Sequence, residues 1–322
     1  MTKPCFIGID TSNYTTSLSF CTEEGEVIAN LKKPLSVKEG ERGLRQSDAV
    51  FLHTKNLPLL FEEARPLFEE YMPLAVGVSA YPRTQAGSYM PCFLAGVSVA
   101  KGIAAALRVP LFEFSHQNGH IMAALYSSGA VDAVLGKEFL AFHVSGGTTE
   151  VLHVKPNGKD FICDVIGGAS DLHAGQVIDR IGVAMGLSFP CGPAMERLAL
   201  SDTEKPIRKG ISVKDGFCNL SGLENMALAM LKEGTAPSRV AHFVLHFIGR
   251  SLVALTDAAR ERFSGLPVVY SGGVMSCSIL KNMLAGKDTY FAEPAFSADN
   301  AAGTALLCRA AHMTGGEEHG AE

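Results

Sequence analysis

One ordering of elements occurs twice along this 322-residue chain, and it constrains the fold more than any other feature. In the first half, an apolar strand over 6–10 runs through a polar turn, Thr11 to Thr15, into a second strand over 16–20. The Glu23-Glu24-Gly25 turn then leads to a third strand over 27–31. Helical periodicity follows over 50–65, then a buried strand over 75–79, a helix over 92–107 and a closing strand over 111–114. In the second half, strands are predicted over 139–144, 148–154 and 161–166, turned at Ser145-Gly146-Gly147 and at Pro156-Asn157-Gly158. A helix over 173–185, a strand over 268–271, a helix over 278–284 and a strand over 289–292 complete it. Both halves therefore read β-β-β-α-β-α-β.

Strands joined tightly pair antiparallel, whereas strands joined through a helix pair in parallel, so each half predicts a mixed sheet with helices on its faces. Two such units around a cleft make an α/β, two-lobed fold of the actin/hexokinase/Hsp70-like kind, built from duplicated ribonuclease-H-like units. The expected lobes are 1–137 and 138–298. The second carries a helical insert over 185–232, and a final helix over 299–312 packs back on the first lobe. The halves share negligible sequence identity, so two unrelated α/β domains would present the same order. The polar, Gly- and Glu-rich segment 314–322 is expected to fray.

A chain of this length with 47% hydrophobic and 19% charged residues can bury two cores, which excludes global disorder. The net charge of −5 excludes autonomous nucleic-acid binding through overall charge, so any RNA substrate needs a local basic patch or a partner. The eight cysteines form no C-x-x-C pair and read as core hydrophobes in a reducing compartment. No leader sequence is visible, and Lys101 and Arg108 interrupt the apolar stretch over 95–109. A cytoplasmic protein without a membrane span is expected.

Three places carry chemistry. His116 and His120 lie four apart at the start of a helix with Ser115 as its N-cap, so both imidazoles reach one ion. Imidazole nitrogen suits zinc or iron. Spacing alone favours a core histidine beside a surface one, since paired histidines are common and no H-E-x-x-H motif is present. Asp299, just before the last helix, is either a helix cap or the carboxylate that completes a metal site. Ser145, Gly146, Gly147 and Thr148 form a glycine turn whose amides and hydroxyls can bind phosphate, or a plain hairpin. Gly272 and Gly273 follow the matching late strand. Asp179, with Arg180 beside it, is placed to accept hydrogen bonds from a ribose or to sit as a solvated helix charge. The Pro190-Cys191-Gly192-Pro193 loop would then close over the nucleotide.

Taken together these residues resemble the tRNA threonylcarbamoyladenosine transferase family, once described as O-sialoglycoprotein endopeptidases. The matching segments are Gly8-Ile9-Asp10-Thr11-Ser12, His116/His120, the 144–149 turn, the run 175–196 and Asp299-Asn300-Ala301. Weaker matches lie at 53–58 and Ser221-Gly222-Leu223. The resemblance implies one divalent metal, iron or zinc, on His116, His120 and Asp299. It implies an adenine nucleotide (threonylcarbamoyl-AMP, ATP or AMP) on Ser145, Gly146, Gly147, Thr148, Asp179 and Gly192. It further implies transfer of a threonylcarbamoyl group to N6 of the adenine 3′ of the anticodon in tRNA, with an inactive paralogue and a small ATPase as partners.

The chain departs from the family pattern in places. Tyr14 and Thr15 stand where an acidic pair is usual, and residues around Ala86-Gly87-Ser88 replace a Gly-Pro-Gly turn. Gln176 replaces glutamate, Glu224 a basic residue, Cys277 an asparagine, and Thr148-Thr149 a His-Thr pair. These changes suit a divergent paralogue. Three readings follow: the tRNA transferase, a nucleotide- and metal-binding paralogue without transfer, and a carbamoyl- or phosphoryl-transferring enzyme for a small molecule. The last would use Asp10 as its candidate base. A metallopeptidase lacks a glutamate at the spacing a zincin base requires.

Overall fold

A computed structural model describes residues 2–12, 14–36, 44–85 and 87–318. Ala86 and the last four residues of the expected frayed tail lie outside them. Contacts divide the chain into two compact units. One comprises Met1–Tyr126, Pro156–Ile162 and Ala298–Glu322; the other comprises Ser127–Lys155 and Cys163–Ser297. The division thus falls after Tyr126 rather than after residue 137, and the 156–162 hairpin tip groups with the first unit.

The first unit starts with β1 (Lys3–Asp10), β2 (Thr15–Thr22) and β3 (Val27–Pro34), followed by α1 (Gln46–Glu63) and the short α2 (Arg65–Glu70). Next come β4 (Tyr71–Tyr81), α3 (Phe93–Leu107), β5 (Leu111–Ser115) and α4 (His116–Ser127). Its sheet runs β3-β2-β1-β4-β5, antiparallel within the triplet and parallel from β1 to β4 to β5. Ile7, Ile9, Leu18, Val76 and Val78 are fully buried with Leu57, Leu60 and Ala100 from α1 and α3. Each of these isoleucine, leucine and valine side chains contributes about 1.5–3 kcal/mol of hydrophobic stabilisation.

The second unit holds the four-residue α5 (Val131–Val134), then β6 (Phe139–Val144), β7 (Thr149–Asn157) and β8 (Asp160–Ala169), whose tip belongs to the first unit. After α6 (Ala174–Ala184) comes the insert: α7 (Gly192–Ser201), a small ribbon of β9 (Val213–Lys214) and β10 (Phe217–Cys218), and α8 (Ser221–Lys232). Then follow α9 (Pro237–Arg262), β11 (Val268–Ser271), α10 (Ser278–Leu284), β12 (Thr289–Phe291) and α11 (Pro294–Ser297). The sheet order β12-β11-β6-β7-β8 repeats that of the first sheet, read from its other edge, and the ribbon extends it beyond β8. The fold is therefore the duplicated α/β architecture of the actin/hexokinase-like class. The insert is not purely helical, because Phe217 and Cys218 pair with Gly168 and Ala169. Helix α9, of 26 residues, was not singled out by the pattern; it buries Phe243, Val244, Leu252 and Leu255 in the second core.

Helix α12 (Ala302–Glu318) covers the face of the first sheet opposite α1 and α3 and runs beyond the expected end at residue 312. It lies unusually close. A Cβ on Gly8 would collide with Ala301 and Ala305, one on Gly77 with Thr304 and Cys308. All eight cysteines are free and buried, in keeping with core roles. Among the described residues no helix is long and apolar enough to cross a membrane.

Candidate metal centre and phosphate turn

The first unit brings three separated residues together. Ser115 ends β5, and its Oγ accepts a hydrogen bond from Asn118 N at 3.1 Å, capping α4. The cap starts the helix so that His116 and His120 share one face, with ring centroids 4.3 Å apart. Asp299 joins them from the segment before α12: its Oδ1 lies 3.3 Å from His120 Nε2 and 3.7 Å from His116 Nε2. Asp299 is not the cap of α12. Asn300 Oδ1 accepts from Ala302 N instead, which leaves the Asp299 carboxylate to the histidines. One donor atom from each of the three lies within 4.8 Å of the others.

Two nitrogens and a carboxylate oxygen converging this closely are the donor set that zinc or ferrous iron takes, with further positions open for substrate. Asp10 supplies the outer support. Its Oδ2 is 2.8 Å from His116 Nδ1, so His116 presents Nε2 towards Asp299. Asp10, singled out above as a candidate base, is wholly buried, with Oδ1 accepting from Ser12 N at 2.9 Å; it is placed to orient His116. Burial opposes charge on Asp10, but the neighbouring His116 and the hydrogen bonds from His116, Ser12 and Ser79 hold it well below the usual carboxylate range. Burial likewise opposes charge on His116, yet Asp10 and Asp299 raise it to about 8. Desolvation works against the charge on Asp299, and His120 and His116 lower its pKa despite it.

Asp10 as the orienting group, and the helix contact that delivers Asp299, were not legible beforehand. A carboxylate ending a strand whose sequence neighbours are Thr and Ser was the only signal for the first. Buried His53 on α1 was legible only as part of a weak motif. Its Nδ1 lies 2.9 Å from Thr16 Oγ1, its Nε2 has no hydrogen-bond partner among the described residues, and burial lowers its pKa to about 4 against the pull of Asp10 and Asp299.

In the second unit Ser145 N donates to Thr148 O at 2.7 Å, closing the turn between β6 and β7. Side-chain space beside Gly146 and Gly147 is open. Helix α6 abuts this turn: Ala174 N donates to Thr149 Oγ1 at 2.9 Å and Gly175 N to Ser145 O at 3.2 Å. A Cβ on Gly175 would press on Gly146, so glycine is what lets the helix start sit there. A turn of amides beside a helix N-terminus favours an anion. Gly272 has φ +96° and packs on the Val144 backbone, and Gly273 begins a short 3₁₀ turn; both therefore adjoin the end of β6. Asp179 Oδ1 accepts from Cys191 N at 2.8 Å, which ties α6 to the loop before Gly192, the first residue of α7.

The family model described as TsaD, tRNA N6-adenosine threonylcarbamoyltransferase, matches residues 87–306. A Thermus thermophilus protein named tRNA N6-adenosine threonylcarbamoyltransferase is 30% identical over 315 residues, covering 96% of this chain and 93% of that protein. The chain belongs to this family of transferase enzymes. Among solved structures, HypF from T. kodakarensis aligns with a TM-score of 0.63 at 14% identity, over 97% of this chain and 48% of its own. The activator of 2-hydroxyisocaproyl-CoA dehydratase from Clostridium difficile aligns at 0.54 and 12%, over 99% and 98%. At such identity these two show the fold alone.

Several departures from the family pattern keep a structural role. Gln176 Oε1 accepts from His173 N at 3.2 Å, a capping contact that either an amide or a carboxylate makes. Cys277 has no capping oxygen, and Glu196 accepts from Ser278 N at 2.7 Å in its place. Glu224 pairs with Arg180 at 3.3 Å. Tyr14 is 47% exposed and Thr15 opens β2, so no carboxylate stands at either place.

Proposed function

We propose that this protein transfers a threonylcarbamoyl group from threonylcarbamoyl-AMP to N6 of the adenine 3′ of the anticodon in tRNA, with His116, His120 and Asp299 holding one divalent ion, iron or zinc. The observation that carries the reading is the convergence of the three donors within 4.8 Å, with Asp10 fixing the His116 ring, in a member of this family. When bound, such an ion acts as a Lewis acid and template for the acyl group. The exocyclic amine attacks the carbamoyl carbonyl carbon, the bond from that carbon to the phosphate oxygen breaks, and AMP leaves with the electron pair. The proton lost from N6 passes to water. Asp10 holds the imidazole of His116 in one tautomer. The Ser145 and Thr148 hydroxyls and the amides of Gly146 and Thr148 bind the phosphate of the nucleotide, with the start of α6 packed against the turn, and Asp179 accepts from its ribose through the oxygen that Cys191 leaves unused. Gly192, Gly272 and Gly273 keep backbone close to the nucleotide. The family's inactive paralogue and small ATPase are the expected partners in the cytoplasm.

A second reading, a nucleotide- and metal-binding paralogue without tRNA transfer, is favoured by Tyr14 and Thr15 in place of an acidic pair. Incubating the purified protein and its partners with labelled threonylcarbamoyl-AMP and unmodified tRNA separates the two. Label on tRNA that disappears with His116→Ala establishes the transferase. Absence of label, with metal and nucleotide still bound, refutes it and directs the search to small-molecule carbamoyl or phosphoryl acceptors.

A further inference from the structure

The first unit also holds a polar cavity of about 450 Å³, lined by none of the metal-donor or phosphate-turn residues. One wall is the end of β4 and the loop after it, with Tyr81, Arg83 and Ser88; the other is the β7–β8 hairpin tip, with Asn157, Asp160 and Ile162. Both walls hang from the turn of α4 that carries the histidines. Gln117 N donates to Pro82 O at 3.1 Å, and Asn118 Nδ2 donates to Phe161 O at 3.1 Å. The cavity is therefore anchored to the two residues that directly follow His116.

We propose that this cavity seats a guanine nucleotide of the RNA strand, a near neighbour of the nucleotide presented to the metal centre. The inference rests on the tRNA reading above. Its chemistry comes from the lining. Arg83 supplies the positive charge that an overall acidic chain needs for a phosphate, and a guanidinium suits phosphate oxygens in a fork. Its loop is pinned by Arg83 N donating to Ser88 Oγ at 3.0 Å. Asp160 is only 8% exposed and is held by Asn157 Nδ2, which donates to its Oδ1 at 2.7 Å. A fixed carboxylate facing a polar cavity accepts hydrogen bonds, and guanine offers two adjacent donors, N1–H and N2–H₂, on its Watson–Crick edge. Single-stranded RNA loops are read on such edges, with apolar or aromatic side chains against the base faces. Ile162, 43% exposed, and Tyr81 are the non-polar surfaces available.

The test uses the full-length, metal-loaded protein and fluorescent anticodon stem-loop RNAs in which each loop position is varied in turn. Arg83→Gln is expected to weaken binding about tenfold for every sequence and to flatten its salt dependence. Asp160→Asn is expected to weaken about tenfold only loops that carry guanine at one position, so that the base preference there disappears. Thermal melting of both variants near the wild-type midpoint shows that folding is kept; if Asp160→Asn melts early, Asp160→Glu replaces it, with the guanine preference retained but weakened. Wild-type affinity and base preference in both variants, with tRNA still modified by the wild type, overturn the cavity assignment and leave the transferase reading standing. GMP competing as strongly as the stem-loop overturns the RNA strand in favour of a free nucleotide. No binding of any RNA by the wild type removes this inference together with the tRNA reading.

Discussion

Gly303 on α12 lies with its Cα against the carbonyl oxygen of Gly119 on α4, close enough that a Cβ at Gly303 would overlap that oxygen. Neither residue carries chemistry, yet this contact sets where the segment containing Asp299 passes the two histidines. Alongside it, Ser79 Oγ and Thr304 Oγ1 lie 3.1 Å apart and fix α12 along the sheet. Gly303→Ala is thus expected to push α12 away from α4. The backbone it meets cannot turn aside as a flexible side chain would, so a loss on the order of 1–3 kcal/mol is expected. Because the displaced element carries a ligand, metal content should fall in soluble protein as well. A Gly303→Ala variant with wild-type melting and full metal content would show that the helices have more room than the geometry implies.

The three donors make a sharper prediction. His120→Ala or Asp299→Ala should abolish stoichiometric zinc or iron while the far-ultraviolet dichroism stays unchanged, since both side chains are partly exposed at the rim of the core. Elemental analysis of protein purified without added metal is the measurement. One equivalent of either metal in either variant would overturn the site.

His53 gives the protein a pH dependence separate from the metal. Its value is about 4 when folded and about 6.5 in an unfolded chain, because burial disfavours the imidazolium. A lowered folded value means that the unfolded chain binds the extra proton. The associated stability is complete above pH 6.5, falls as the pH drops towards 4, and loses on the order of 3 kcal/mol across that window. His53→Leu removes the titrating group while Asn56 Nδ2 still donates to Thr16 Oγ1. Urea unfolding at pH 7.5 and 5 should therefore show a smaller acid-induced loss in the variant. Equal losses would mean that His53 does not titrate in the unfolded chain alone.

Asp179→Ala should weaken adenine-nucleotide binding several-fold and leave metal content unchanged, because metal donors and Asp179 belong to different units. It also removes the acceptor for Cys191 N, so the loop before α7 should lose protection from hydrogen exchange. Calorimetry that returns the wild-type affinity would refute the ribose role, whatever the loop does.

How much of this was legible in the sequence differs by kind of residue. The strands over 139–144 and 268–271 and the helix over 278–284 match the structure at both ends, because apolar runs bounded by glycine or polar turns report their own limits. The long helix α9 does carry a helical stripe, Val240, Phe243, Val244, Phe247, Ile248, Leu252 and Leu255, but it stands outside the repeated element order that organises the two halves. The two-residue strands β9 and β10 escaped because a ribbon that short has no period to read. At the site, spacing put the two histidines on one helix face, and the family resemblance made them and Asp299 ligands. The supporting contacts of Asp10 with His116 and of Gly303 with Gly119 were not, since each joins residues more than a hundred positions apart and neither residue type announces its partner.

Asp10 offers the most discriminating test, because it supports the centre without belonging to the donor set. In Asp10→Asn the volume and the acceptor oxygen are kept, so His116 Nδ1 retains a hydrogen bond, but the negative charge that raises the basicity of the ring is lost. Metal affinity should fall roughly 10–100-fold, the range expected for an outer-shell carboxylate, while the ligand set remains complete. Asp10→Ala removes both charge and acceptor and should cost more, including stability, since Ser12 N then loses its partner inside the core. Competition titration against a chelator of known affinity measures the order wild type, Asn, Ala. If the asparagine variant binds metal as tightly as the wild type, the charge on Asp10 does nothing for His116, and its burial must be explained by packing alone.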